Sequence, residues 1–187
     1  MVATTGSELL PNTALAMLRN HLLPITYILT PNIPEARLLL ADAGVGHIPI
    51  ERVEDLERVG KAIRGLGPKW VLVKGGHCPF KNDGEVAKQE DEKERVVDVL
   101  VGSDQEGGEE VVVWVESPYY DTRNTHGTGC SLASAIASNL AKGMEMTKAV
   151  KAACRYVEAG IKSAPGLGRG NGPLNHFHSV YTLPFAP

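Results

Sequence analysis

At 187 residues, with 43% hydrophobic and 22% charged side chains, the chain has the size and make-up of one ordinary domain with a sizeable core. A net charge of −3 supplies no basic field for nucleic acid or an anionic membrane, and no apolar run approaches the roughly 20 residues of a membrane helix. Three scattered cysteines, Cys78, Cys130 and Cys154, form neither a metal-binding spacing nor a disulfide framework, and the start lacks a signal-peptide pattern, so a reducing, cytoplasmic compartment is expected.

In chain order, Val2-Ala3 reads as the end of a strand and Thr4 to Ser7 as the loop after it. Pro11-Asn12-Thr13 opens a helix whose Leu15, Leu18 and Leu22 share a face. Ile25 to Leu29 is a short apolar run rich in β-formers and predicts a buried strand. Thr30-Pro31-Asn32-Ile33-Pro34-Glu35 leads into a helix from Glu35 to Ala43, stopped by Gly44 and Gly46. Val53, Leu56, Val59, Ile63 and Leu66 recur at helical spacing, and Gly65 or Gly67 ends that helix.

Trp70 to Val73 predicts a second buried strand, running into Lys74-Gly75-Gly76-His77. Lys81 to Glu94 is charged and turn-rich, which predicts an exposed, mobile segment. Val96–Val101 and Val111–Val115 read as a hairpin closed by the Gly-rich run from Gly102 to Gly108. Ser131 to Leu140 carries Leu132, Ile136 and Leu140 on one helical face, with Gly143 as its stop. Thr147 can cap a last helix bearing Val150, Ala153, Cys154, Val157 and Ile161 on one face. The Gly-, Pro- and His-rich tail from Gly166 to Pro187 predicts a structured wrap with little regular structure. Alternating buried strands and amphipathic helices predict a single α/β domain, residues 1–187, with a mostly parallel sheet. In such a sheet ligands gather at the carboxyl ends of the strands, where the loops 32–35, 74–77 and 124–130 can converge.

Those loops carry the chemistry. Asn124-Thr125-His126-Gly127-Thr128-Gly129-Cys130 places glycines ahead of a helix, so the amides of Gly127, Thr128, Gly129 and Cys130 can cradle a phosphate or a developing negative charge. The competing reading is a Gly-rich turn that merely caps a buried helix. A helix start puts its positive dipole end against the Cys130 sulfur, which suits a nucleophile or a general base; a small buried hydrophobe is the alternative. Lys74, between a buried strand and two glycines, offers an ammonium to a polyphosphate, against the reading of a solvated surface lysine. Asn32 and Glu35, three apart at a helix start, can serve a hydrated magnesium ion or its phosphate, although the same pair is ordinary helix-cap chemistry. His176 and His178 lack a third ligand and carry no metal assignment. Neither a G-x-x-x-x-G-K-[ST] loop nor a G-x-G-x-x-G fingerprint occurs.

Together, Leu29 to Ala36, Val71 to His77 and, above all, Asn124 to Cys130 resemble the hydroxymethylpyrimidine/phosphomethylpyrimidine kinases of thiamine biosynthesis, within the ribokinase-like superfamily. Gly172-Pro173 with His176-Phe177-His178 is similar to that family's ending, and the motifs occur in the family's order. The resemblance implies a ribokinase-like three-layer fold lacking its N-terminal strands, so that residues 1–187 form the C-terminal portion of the kinase domain. The charged stretch from Lys88 to Glu94 and the loop at Gly107-Gly108 look longer than the family's compact version.

The implied reaction is ATP- and Mg²⁺-dependent phosphorylation of 4-amino-5-hydroxymethyl-2-methylpyrimidine and of its monophosphate. Cys130 falls at the family's catalytic position, where most sugar kinases of the superfamily have aspartate, with Gly127, Thr128 and Gly129 as the anion hole. Lys74, Asn32, Glu35 and Thr125 would meet the nucleotide, Asn32 and Glu35 would organise the magnesium shell indirectly, and Val2 and Cys130 would contact the pyrimidine. The implied partners are ATP and the small pyrimidine, without nucleic acid or membrane; a homo-oligomer is compatible with the sequence. Pyridoxal kinase activity, a non-catalytic nucleotide-binding module, and a cysteine hydrolase using Cys130 with His126 are the competing functions.

Overall fold

The computed structural model describes residues 11–105, 107–167 and 169–180. The strand end at Val2-Ala3, and Val2 as a substrate contact, lie outside them. Two compact units divide the chain, Met1–Tyr119 and Tyr120–Pro187.

In the first unit, α1 (Asn12–Met17) runs into a π turn (Leu18–Leu22) and a 3₁₀ turn (Leu23–Ile25). The wider π turn changes which side chains face inward. Leu15 and Leu18 pack into the core as expected, but Leu22 is 54% exposed and Leu23, five residues after Leu18, is buried in its place. Ile25 is taken up in the 3₁₀ turn, so the strand expected over 25–29 shrinks to β1 (Ile28–Leu29) and Ile25 is exposed, although the Thr26 and Tyr27 carbonyls still accept from the Lys69 and Trp70 amides. Two helices follow, α2 (Ile33–Asp42) and α3 (Glu54–Arg64). They bury Ala36, Leu39 and Leu40, and Leu56, Val59 and Ile63, at the expected spacing. These six side chains join Val71, Val73, Val97, Val99 and Val101 in one core, so the two helices cover a face of the sheet.

The sheet order is β1-β2-β3-β4, with β2 at Trp70–Val73, β3 at Arg95–Gly102 and β4 at Val111–Pro118. The mostly parallel sheet expected from the sequence is mixed instead: β1–β2 is parallel, and both β2–β3 and β3–β4 are antiparallel. The connections explain the difference. Between β1 and β2 the chain makes two helices, enough for a crossover that returns it in the same direction. Between β2 and β3 the described chain holds only a short 3₁₀ turn, Glu90–Glu92, and comes back antiparallel. The β3–β4 hairpin forms as expected. Residues 81–94 are largely exposed yet tied at several points. Phe80, fully buried, bridges to Val86 and Arg95, and the Val53 amide donates to the Gly84 carbonyl at 2.9 Å.

In the second unit α4 (Thr128–Ala141) and α5 (Met146–Lys162) pack on each other through Leu132 and Ile136 and through Val150, Ala153 and Cys154. Glu145, and not Thr147, holds the N-cap of α5. The tail is a wrap of turns with no helix or strand among its described residues. Leu174 is buried, and the Asn175 amide donates to the Gly160 carbonyl at 3.0 Å.

Candidate active site

At the carboxyl end of β1, Asn32 is the N-cap of α2 and nearly buried. Its side-chain oxygen accepts from the Glu35 amide at 2.8 Å, and the Glu35 carboxylate accepts from the Asn32 amide at 2.9 Å, a complete capping box. The helix therefore starts at Ile33, two residues before the position expected, with Pro34 in its first turn. Burial works against ionisation of Glu35, but the Asn32 amide and the nearby Lys74 ammonium more than offset it and hold its carboxyl below the usual range.

Lys74 lies beside this cap. Its backbone bridges Asn32, its amide donates to the Pro31 carbonyl at 2.9 Å, and its half-buried ammonium donates to the Thr30 carbonyl at 2.7 Å. The solvated-surface reading of Lys74 fails, because its head is held over the end of β1. Three residues on, burial and the Lys74 charge push the His77 imidazole below its ordinary pKa, against an opposing pull from Glu35. The structure thus brings Asn32, Glu35 and Lys74 together. Sequence reasoning missed the groups that hold them: the Thr30 carbonyl, and Asp98 of β3, whose carboxylate accepts from the Gly75 amide at 2.9 Å. Neither has a motif of its own; only the strand register points to Asp98.

The donors gathered at this cap are the Glu35 carboxylate and the Asn32 side-chain amide, each partly used in the capping box. No group of three or more His, Cys, Asp or Glu side chains that could hold a metal occurs among the described residues. Such a set fits a hydrated magnesium ion brought in on nucleotide phosphates better than a fully protein-ligated ion.

The second unit holds Thr125, Gly127, Thr128, Gly129 and Cys130. Gly127 is the N-cap of α4 with φ of 83°, a left-handed conformation that an L side chain adopts only with strain. The helix begins at Thr128, three residues earlier than expected, so Cys130 lies in its first turn. The first helical backbone bond runs from the Ser131 amide to the Gly127 carbonyl at 2.9 Å, which leaves the Gly129 and Cys130 amides ahead of the ladder. The Thr128 amide and hydroxyl instead both donate to the Thr125 carbonyl, at 3.4 and 3.0 Å, closing the turn on itself. Thr128 is therefore a lesser donor than the sequence suggested, its amide being already engaged.

Cys130 is exposed, which removes its reading as a small buried hydrophobe; Cys154 is the buried one. The thiol opens on a groove of about 600 Å³ along α4, lined also by Ser131, Ser134, Lys142, Tyr156 and His176. The tail fixes the loop from behind: the His126 amide donates to the Gly172 carbonyl at 3.2 Å, and the Arg123 guanidinium to the Arg169 carbonyl at 3.1 Å. This geometry suits an anion held by backbone amides with a reachable thiol beside it.

Comparison with known proteins shows which family the chain is similar to. A family model described as phosphomethylpyrimidine kinase matches residues 1–175. The chain is 38% identical to the hydroxymethylpyrimidine/phosphomethylpyrimidine kinase of Synechococcus elongatus over 97% of its own length and 60% of the relative's. It is 38% identical to the Streptomyces coelicolor enzyme of the same name, over 94% of this chain and 55% of that one. The chain thus spans somewhat over half the length of these two curated relatives. Among solved structures, an ADP complex of Bacillus subtilis pyridoxal kinase is similar, with a TM-score of 0.72 and 30% identity over 95% of this chain and 58% of that one. The fold is thus that of the ribokinase-like kinases, and the chain belongs to the phosphomethylpyrimidine kinase family.

Proposed function

We propose that the chain uses ATP and Mg²⁺ to phosphorylate 4-amino-5-hydroxymethyl-2-methylpyrimidine and its monophosphate, a step of thiamine biosynthesis. The observation that carries this reading is the exposed Cys130 in the first turn of α4, beside amides that precede the helical ladder, in a chain of this family. Gly127, Gly129 and Cys130, with Thr128 shaping the turn, present amides to the phosphoryl group as its charge spreads in transfer. Lys74 neutralises phosphate charge on ATP, with Thr125 as a further nucleotide contact. Asn32 and Glu35 orient the waters of the magnesium shell, and the ion, when bound, supplies charge neutralisation on the phosphates. Cys130 receives the proton of the acceptor alcohol. For the monophosphate, already largely ionised near neutral pH, that proton transfer matters less and positioning carries more of the rate.

In this reading residues 1–187 act as part of a phosphomethylpyrimidine kinase domain in the cytoplasm; none of the described helices is long and apolar enough to cross a membrane. The test is incubation with ATP, Mg²⁺ and the pyrimidine monophosphate, read as formation of the diphosphate and ADP. Turnover supports the kinase. ATP binding by calorimetry with no product from either pyrimidine overturns it in favour of a non-catalytic nucleotide-binding module.

A second reading, pyridoxal phosphorylation, is favoured by the similarity to the B. subtilis pyridoxal kinase structure. The ratio of kcat/KM for pyridoxal and for the pyrimidine alcohol decides between them, with the pyrimidine expected to be preferred.

A further inference from the structure

We infer that Asp98 is a positioning residue that aims Lys74 at the nucleotide phosphates, an inference that rests on the role proposed for Lys74. The starting point is the register. β2 and β3 pair antiparallel from Trp70 opposite Gly102 to Val73 opposite Val99, and one more step brings Lys74 opposite Asp98 and Gly75 opposite Val97. At that step the ladder stops. The Gly75 amide donates to the Asp98 carboxylate at 2.9 Å, so a side chain of β3 takes the place of a strand-to-strand backbone bond.

The approach of the two chains there is unusually close. A Cβ on Gly75 would fall 2.0 Å from the Val97 carbonyl oxygen, so only glycine permits it. Directly after it the chain turns, with the Cys78 amide donating to the Gly75 carbonyl at 2.8 Å. Lys74 is the last residue before this departure. On its other side it is fixed to the segment that follows β1, its amide to the Pro31 carbonyl and its ammonium to the Thr30 carbonyl. Its backbone is therefore clamped between the Pro31 carbonyl on one side and the Asp98–Gly75 bond on the other. A charged acceptor on a backbone amide is one of the stronger hydrogen bonds, and losing it frees the turn that ends the strand. Asp98 thus acts through Lys74 and is assigned no contact with substrate.

Two substitutions separate this from general support of the fold. Asp98→Asn keeps an oxygen that can accept from Gly75, whereas Asp98→Ala removes the acceptor. Calorimetric titration of the full chain with Mg·ATP is expected to show binding weakened about five- to tenfold in Asp98→Ala and within about twofold of wild type in Asp98→Asn. In a Lys74→Ala background, Asp98→Ala is expected to weaken binding no further, since its effect passes through the missing ammonium. Losses that add in the double variant, or an Asp98→Asn loss as large as that of Asp98→Ala, overturn the inference. Should Asp98→Ala melt below the assay temperature, Asp98→Ser, whose hydroxyl stops short of Gly75, takes its place with the same readings. Wild-type binding by the Asp98 variants, with binding by Lys74→Ala weakened, overturns the inference and leaves the kinase reading standing. Unchanged binding in Lys74→Ala overturns the nucleotide role of Lys74 itself.

Discussion

At the carboxyl end of β2 the charged groups are bound through side chains: Lys74 to the Thr30 carbonyl, Glu35 to the Asn32 amide, and Asp98 to Gly75. At the start of α4 the arrangement is the opposite. Main-chain amides lie ahead of the helical ladder, one glycine holds a left-handed conformation, and the Cys130 side chain is exposed. The first region builds its electrostatics from charges fixed in place, and the second builds them from backbone shape. The two should therefore fail differently. Substitutions near Lys74 should change nucleotide affinity through charge and aim, whereas substitutions in the 124–130 loop should change turnover or backbone stability with less effect on affinity.

The largest effect is expected at Cys130. Cys130→Ala leaves every backbone amide of the loop in place and removes only the thiol, so transfer to the alcohol should fall about a hundredfold or more. ATP affinity measured by calorimetry should remain near wild type. A parallel loss of both would mean that Cys130 supports the fold and not the reaction. The loss should be smaller with the monophosphate acceptor, which needs less help in giving up a proton.

Next in size is Lys74. Lys74→Ala should raise the KM for ATP about tenfold or more, with kcat less affected, because a charge-assisted contact to phosphate is lost. An ATP KM that does not move would break the comparison, since the first region would then have no claim on the nucleotide. Gly127→Ala tests the other region by a backbone route. The space around Gly127 is open, so the cost should come from the left-handed φ alone, about 1–2 kcal/mol of stability in urea unfolding. Gly127→Asn should cost less, since asparagine tolerates this conformation better. Equal costs for Ala and Asn would show that strain is not what selects glycine there.

Much of the first region was legible in the sequence because local rules coincide with the fold there. Asn32 and Glu35 have the spacing of a capping box and form one, Trp70–Val73 is an unbroken buried run, and Leu56, Val59 and Ile63 keep helical phase. The failures have specific physical origins. The π turn at Leu18–Leu22 exchanges Leu22 for Leu23 in the core, and no simple 3.6-residue period anticipates that. The sheet direction depended on what joins β2 to β3, and a charged segment without a helix gives an antiparallel return that alternation alone does not reveal. In the loop region the turn ahead of the helix was readable from glycine placement, but the helix boundary was not. Thr128 and Gly129 are weaker helix signals than the apolar run that follows, so α4 starts earlier than its pattern. Asp98 was invisible because its role depends on a partner 23 residues away in sequence.

The smallest effect expected belongs to Glu35, and it is the most diagnostic of a charge fixed in place. Its carboxyl is held below the usual range, with the penalty of burial outweighed by the Asn32 amide and the Lys74 charge. A carboxylate whose folded pKa is lowered stabilises the fold above its unfolded pKa, and that contribution disappears as pH falls through the folded value. Glu35→Gln keeps an acceptor for the Asn32 amide but removes the charge. It should therefore cost about 0.3–1 kcal/mol near neutral pH, the scale of a charge at a helix N-terminus. Urea unfolding of the two proteins at stepped pH should show that gap shrinking below the ordinary carboxylate range and closing once Glu35 is protonated in the folded state too. In Lys74→Ala the gap should be smaller and should close fully at a higher pH, because one of the groups holding the carboxylate ionised is gone. A gap that stays constant as pH falls would mean that Glu35 serves α2 as a neutral cap, with its charge playing no part in the pairing beside Lys74.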